Sequence, residues 1–271
     1  MSLIKDPELI FCINERPQFT DDLNGVDTTL TELVIRGKTK NLDRLKLFTK
    51  LEKLWIYTVN QKEFEVILNV VDPKLLYLYE MRVEDLSLIS TLKKLEILSL
   101  TWNTKAQSLW DVTKNTLLKS LFIEDFSKLN NISSLNNNLK LEYLNLSGGM
   151  WNSLNLDNLK DLSNLSNLKY LGLSNIKTKD ESLEPIGYLK NLQELDISNQ
   201  FPTEEYARLS VLLPNTKCDY FKPYIVLSDP IDDKDLMVIG KRKPFFNSKV
   251  DAKKLQKYKD QFEDLQIKYR K

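Results

Sequence analysis

The sequence predicts an α/β solenoid in which short parallel strands alternate with helical returns. Two observations carry the expectation. A motif L-x-x-L-x-L recurs at nearly constant spacing along the chain, and each copy leads into apolar residues three apart.

Taking the leucines as positions 1, 4 and 6, the copies read Leu30-Leu33-Ile35, Leu51-Leu54-Ile56, Leu95-Leu98-Leu100, Leu118-Leu121-Ile123, Leu141-Leu144-Leu146, Leu168-Leu171-Leu173 and Leu192-Leu195-Ile197. Pro73 stands at position 1 of a further copy, with Leu76 and Leu78 behind it, and a degenerate copy starts at Asn215 with Cys218 and Tyr220. Successive anchors (30, 51, 73, 95, 118, 141, 168, 192, 215) lie 21, 22, 22, 23, 23, 27, 24 and 23 residues apart.

Apolar residues two apart at positions 4 and 6 place both side chains on one face of a strand. The following triplets, such as Leu42-Leu45-Phe48, Phe64-Ile67-Val70, Leu86-Ile89-Leu92 and Leu159-Leu162-Leu165, are spaced by three and predict helical or 3₁₀ returns. One such unit cannot bury its own leucines, so stacked neighbours must share a continuous core. Strands stack about 4.8 Å apart while helices need roughly 8–10 Å, which bends the stack with its parallel sheet on the concave side.

The recurrence over residues 30 to about 221 resembles the leucine-rich-repeat family, in its short class of about 22–24 residues. The resemblance implies a right-handed horseshoe with a concave parallel β-sheet and helical or 3₁₀ convex returns, capped at both ends. The family usually carries asparagine at position 9. Here that position reads Lys38, Val59, Met81, Asn103, Phe126, Gly149, Ile176 and Gln200, so a continuous asparagine ladder is not expected. The 27-residue repeat from Leu141 must bulge, and Gly148-Gly149-Met150-Trp151 is the expected place.

Three segments follow: residues 1–29 as an N-terminal cap, 30–223 as the repeat domain, and 224–271 as a basic C-terminal tail with an amphipathic helix. In the cap, Leu9-Ile10-Phe11-Cys12-Ile13 reads as a strand covering the end of the core. Cys12 and Cys218 read as small buried hydrophobes. In the tail, a turn is expected at Gly240-Lys241-Arg242-Lys243-Pro244, and Leu255, Tyr258, Phe262, Leu265 and Tyr269 form one apolar helical stripe. Residues 241–271 hold 11 basic and 4 acidic side chains, a net of +7, which leaves −6 for residues 1–240 of the total of +1. The stripe packs on the protein itself or meets an acidic partner or nucleic acid.

Composition narrows the function classes. Apolar residues make up 42%, and 39 basic side chains balance 38 acidic ones, as in an ordered globular protein. No histidine occurs, which removes the usual general base and the commonest zinc ligand. No glycine-rich phosphate loop appears, and Asp229, Asp232, Asp233 and Asp235 lack the EF-hand spacing. No enzymatic activity, cofactor or metal is expected. The N-terminal text has neither a long apolar run nor a cleavage site, and the two cysteines are not clustered, which predicts a cytoplasmic protein.

Positions 3, 5 and 7 of each strand alternate with the leucines and are expected to face outward from the concave sheet. Aromatics crowd strands two to five there. The candidate partner-binding residues are Trp55, Tyr57, Tyr77, Tyr79, Trp102 and Phe122, with Arg36 and Glu124 at the edges. An exposed patch of this kind suits a protein partner, because Tyr and Trp dominate binding hot spots. The expectation is a protein-interaction module gripping another protein or peptide on this face, which is also what the resemblance implies. The alternative is nucleic-acid or acidic-partner binding through the basic tail.

Overall fold

The computed structural model describes residue 11, residues 16–136 and residues 138–270. Each L-x-x-L-x-L copy from Leu30 to Leu192 forms one strand of a single eight-stranded, all-parallel sheet. Its strands are β1 (Glu32–Arg36), β2 (Lys53–Asn60), β3 (Leu75–Arg82), β4 (Ile97–Asn103), β5 (Ser120–Phe126), β6 (Tyr143–Ser147), β8 (Tyr170–Leu173) and β10 (Glu194–Ile197). Register follows the anchors, since Leu33, Leu54, Leu76, Leu98, Leu121, Leu144, Leu171 and Leu195 are aligned partners. The sheet is open, so the chain is a leucine-rich-repeat solenoid.

The returns are short because spacings of 21–24 residues leave room for about one or two turns. Six are 3₁₀ helices, from Leu42–Leu47 to Glu184–Tyr188. Two are α-helices, α1 (Gln61–Leu68) and α2 (Thr203–Leu212). A capping box starts α1, in which Asn60 accepts from the Glu63 amide and Glu63 accepts from the Asn60 amide.

Position 9 is buried in most repeats, but mainly by apolar side chains. Val59, Met81, Phe126 and Ile176 form a dry spine where a ladder of amides would otherwise run. Asn103 alone keeps the amide role, donating to the Val83 carbonyl at 2.9 Å and accepting from the amides of Lys105 and Ala106. Position 2 alternates in sign along six repeats, as Glu52, Lys74, Glu96, Lys119, Glu142 and Lys169. Lys74 reaches Glu52 at 2.7 Å and Lys169 reaches Glu142 at 2.6 Å. Such surface pairs each stabilise little, but a slip of one repeat would set like charges together.

Leu144 is fully buried in the central strand β6. Its change to alanine is expected to lower the unfolding free energy by about 3 kcal/mol, read by urea denaturation, since the stacked repeats on both sides cannot collapse into the cavity. An unchanged midpoint would put the register in error.

At the N-terminal edge, Phe19 bridges Val34 of β1 in parallel, and the Thr20 amide donates to the Val34 carbonyl at 2.9 Å. The capping strand expected at residues 9–13 lies outside the described residues except for Phe11. That residue sits on the concave face against Trp55 and Tyr77, not over the end of the core. Cys12 also falls outside the described residues.

After Pro223 the chain forms a three-stranded antiparallel sheet, β11 (Tyr224–Ile231), β12 (Lys234–Val238) and β13 (Phe245–Phe246), followed by α3 (Ala252–Tyr269). The expected stripe is the packed face of α3. Leu255 joins Leu236, Val238 and Phe246 in a small core, while Phe262 and Leu265 join the solenoid core beside α2. Gln266 donates to Ser210, and Lys268 and Tyr269 both donate to Glu204. These two donors hold the Glu204 carboxyl below its ordinary range.

The bulge in the long repeat is at Gly148–Trp151, as its spacing implies. The extra residues lie between β6 and β7 (Leu154–Leu156), since β7 pairs with β9 (Ile176–Thr178) in a second, two-stranded parallel sheet at the ordinary repeat offset. Among the described residues no helix is long and apolar enough to cross a membrane.

Candidate functional site

Strands β2 to β4 bring the expected aromatics together in register. Trp55 pairs with Tyr77, and Tyr57 with Tyr79. The rings form a chain: Tyr57 lies 5.7 Å from both Tyr77 and Tyr79, Tyr77 stacks on Tyr79 at 6.4 Å, and Tyr79 meets Trp102 edge-on at 5.9 Å.

Two of the expected surface residues are not on the surface. Trp55 is 1% exposed and Phe122 is equally buried. Together with Val34, Ile97, Tyr143 and Phe11 they form a second core on the concave side. The physical reason is crowding. Bulky residues at positions 3 and 5 of neighbouring strands, about 4.8 Å apart, fill each other's gaps. Phe11 then closes the patch, its ring 6.0 Å from Trp55 and 5.4 Å from Tyr77, and its carbonyl accepts from the Trp55 indole at 3.4 Å. Position 5 is therefore largely interior in the first half of the sheet, buried at Val34, Trp55, Ser99 and Phe122, half-buried at Tyr77 and Asn145, and exposed at Asp196.

The remaining candidates stay at least partly accessible. Tyr57, Tyr77 and Tyr79 are half-buried, Trp102 is 42% exposed, and Glu124 is exposed. Burial pushes the Tyr57 and Tyr77 hydroxyls above the ordinary phenol range, and raises Tyr143 to about 12. The Tyr57 and Tyr143 hydroxyls are buried without a hydrogen-bond partner. Arg36 is tied inward, 2.9 Å from Asp21 with its guanidinium 3.6 Å over the Phe19 ring. It braces the N-terminal segment against the sheet edge.

The strand ends add residues that alternation alone does not reveal. Position 8 adopts the left-handed backbone conformation at Thr58, Glu80, Trp102, Asp125 and Asn175, so a common kink interrupts the strand alternation there, and pairing resumes at Val59 with Met81, Met81 with Asn103 and Asn103 with Phe126. Register sets Trp102 beside Asp125 on this rim, because the flanking pairs are Thr101 with Glu124 and Asn103 with Phe126. The next strand continues into the Gly148–Trp151 turn. The Gly149 amide donates to the Asn152 carbonyl, and Asn175 donates to the carbonyls of both Gly149 and Asn152. Met150 and Trp151 at its tip are 84% and 88% exposed. Spacing marks Gly148–Trp151 only as an insertion, and their exposure follows from the closure of the turn by Asn175, a partner in the next repeat.

Five of the 11 basic side chains of residues 241–271 are engaged within the chain. Lys241 pairs with Glu181, Lys254 with Asp251 and Lys268 with Glu204. Lys243 lies over Tyr258, and Lys259 over Tyr224. Cys218 is partly buried and unpaired, and burial pushes its thiol up to about 11, as expected of a packed hydrophobe.

No family model and no curated protein matches the sequence. Solved structures do match. Internalin C2 from Listeria monocytogenes is 20% identical over 57% of this chain and 66% of that one, with a TM-score of 0.43. A second internalin from the same organism is 18% identical over 70% and 67%, with a TM-score of 0.43. A leucine-rich-repeat protein from Leptospira interrogans is 24% identical over 69% of this chain and 45% of that one, with a TM-score of 0.46. The match thus spans about two-thirds or less of each of these chains. The anchors and their in-register strands make this chain a leucine-rich-repeat solenoid by its own sequence and structure.

Proposed function

We propose that the chain is a non-enzymatic protein-interaction module, acting in the cytoplasm, whose partner sits on the concave side over Tyr79, Trp102 and Glu124. The observation that carries this is the continuous ring chain from Tyr57 to Trp102, which emerges from a packed base into solvent at its last member. Such a base holds the exposed rings in one conformation, so a partner that covers them orders few new side chains. Half-buried tyrosines and an exposed tryptophan beside Glu124 also match an apolar centre with a polar rim. Trp55 and Phe122 serve this face as its foundation, not as contacts.

The basic tail is the weaker alternative, since its stripe is packed within the chain and five of the 11 basic side chains of residues 241–271 already face carboxylates or rings there. The test is co-purification from native lysate, comparing the intact chain with Tyr79→Ala, Trp102→Ala and the control Ser174→Ala. Either aromatic change is expected to weaken a captured partner by about 2 kcal/mol or more, with folding and the control unaffected. Equal loss in the control would refute the concave reading.

A further inference from the structure

We propose that the strand-end rim at Asp125 is a docking point for a cationic side chain of a protein partner, with Trp102 and the Met150–Trp151 turn as apolar anchors on either side. The proposal rests on the reading that the chain binds a protein, and names the partner's chemistry: a lysine or arginine among large apolar residues.

Three independent observations meet at this rim. Asp125 is partly exposed, yet its Oδ1 is buried without a hydrogen-bond partner. Its carboxyl group lies against Gly149 so closely that a Cβ there would collide with it, and Gly148 is packed as tightly against the backbone of the next repeat. The turn is therefore shaped around the acid. Trp102 is beside Asp125 in register, and Trp151 is two residues from the Gly149 that the Asp125 carboxyl touches; both are exposed. Tryptophan is among the residue types most enriched at hot spots.

Charge selects among occupants. Glu124 is on the same strand end, and residues 1–240 carry a net of −6. An anionic bilayer or a nucleic acid would be repelled here, whereas a lysine or arginine would form a charge-assisted hydrogen bond to the carboxylate.

The experiment selects a random-peptide display library on the immobilised full chain, then measures binding of the enriched peptides by fluorescence anisotropy. Enriched peptides are expected to carry a lysine or arginine close to large apolar residues. Asp125→Asn and Trp151→Ala are each expected to weaken them about tenfold or more. Trp151 is too exposed for its loss to unfold the chain, so that variant stays informative even if Asp125→Asn destabilises. Absence of enrichment, enrichment of acidic or uncharged sequences, or unchanged binding by both variants overturns the proposal. So does Trp151-dependent flotation with phosphatidylserine vesicles, or a Trp151-dependent dimer by light scattering. Tyr79→Ala separates the two readings. Loss in Tyr79→Ala alone rejects the rim and leaves the concave face standing, while loss in Asp125→Asn and Trp151→Ala alone does the reverse.

Discussion

Trp55→Ala is expected to lower the unfolding free energy by about 3–5 kcal/mol, the range for deleting a large buried aromatic side chain. Its indole is enclosed by Phe11, Tyr77, Val34 and the neighbouring strands, donates to the Phe11 carbonyl, and lies under the Lys53 ammonium, 4.5 Å from the ring. Removing it leaves a cavity on the concave side and frees Phe11 from its main contact. The measurement is urea unfolding followed by tyrosine fluorescence, with Trp102→Ala alongside. Trp102 is exposed, so its removal is expected to leave stability within about 0.5 kcal/mol. If the two variants unfold at the same midpoint, Trp55 is not the base of the face and the division between foundation and contact residues fails.

That division explains what the residue pattern reveals and what it hides. Anchors at near-constant spacing determine strand register, because only one alignment buries every leucine at positions 4 and 6. Trp55 beside Tyr77 and Tyr57 beside Tyr79 are therefore legible from counting alone. Exposure is not legible in the same way. Alternation places Trp55 and Phe122 on the concave side, but whether they meet water depends on the bulk of neighbours two strands away and on Phe11, 44 residues earlier in the chain than Trp55. The rim is hidden for a different reason. The left-handed turn at position 8 uses Thr58, Glu80, Trp102, Asp125 and Asn175, which share no side-chain type, so no motif announces it. The small antiparallel sheet after Pro223 also escapes periodicity, because β11 is mostly exposed and offers no alternating apolar face.

The same contrast separates a tail that completes the fold from one that awaits a partner. Phe262→Ala is expected to cost about 3–5 kcal/mol, because Phe262 is buried in the solenoid core where α3 lies across α2. The last repeat of a stack has a neighbour on one side only, so its inward residues depend on whatever covers the open end. Here the cover is built from Phe262 and Leu265, and Glu204 of α2 fastens it through Lys268 and Tyr269. Loss of the Phe262 ring should therefore be felt first at the C-terminal end: amide exchange in β10 and α2 should accelerate while β2 and β3 stay protected. Lys257→Ala, on the exposed side of α3, is the control and should change neither. An unaltered midpoint together with unaltered exchange in β10 would mean that α3 contributes nothing to the stack, and the basic helix would then have to be reconsidered as a surface for an acidic partner.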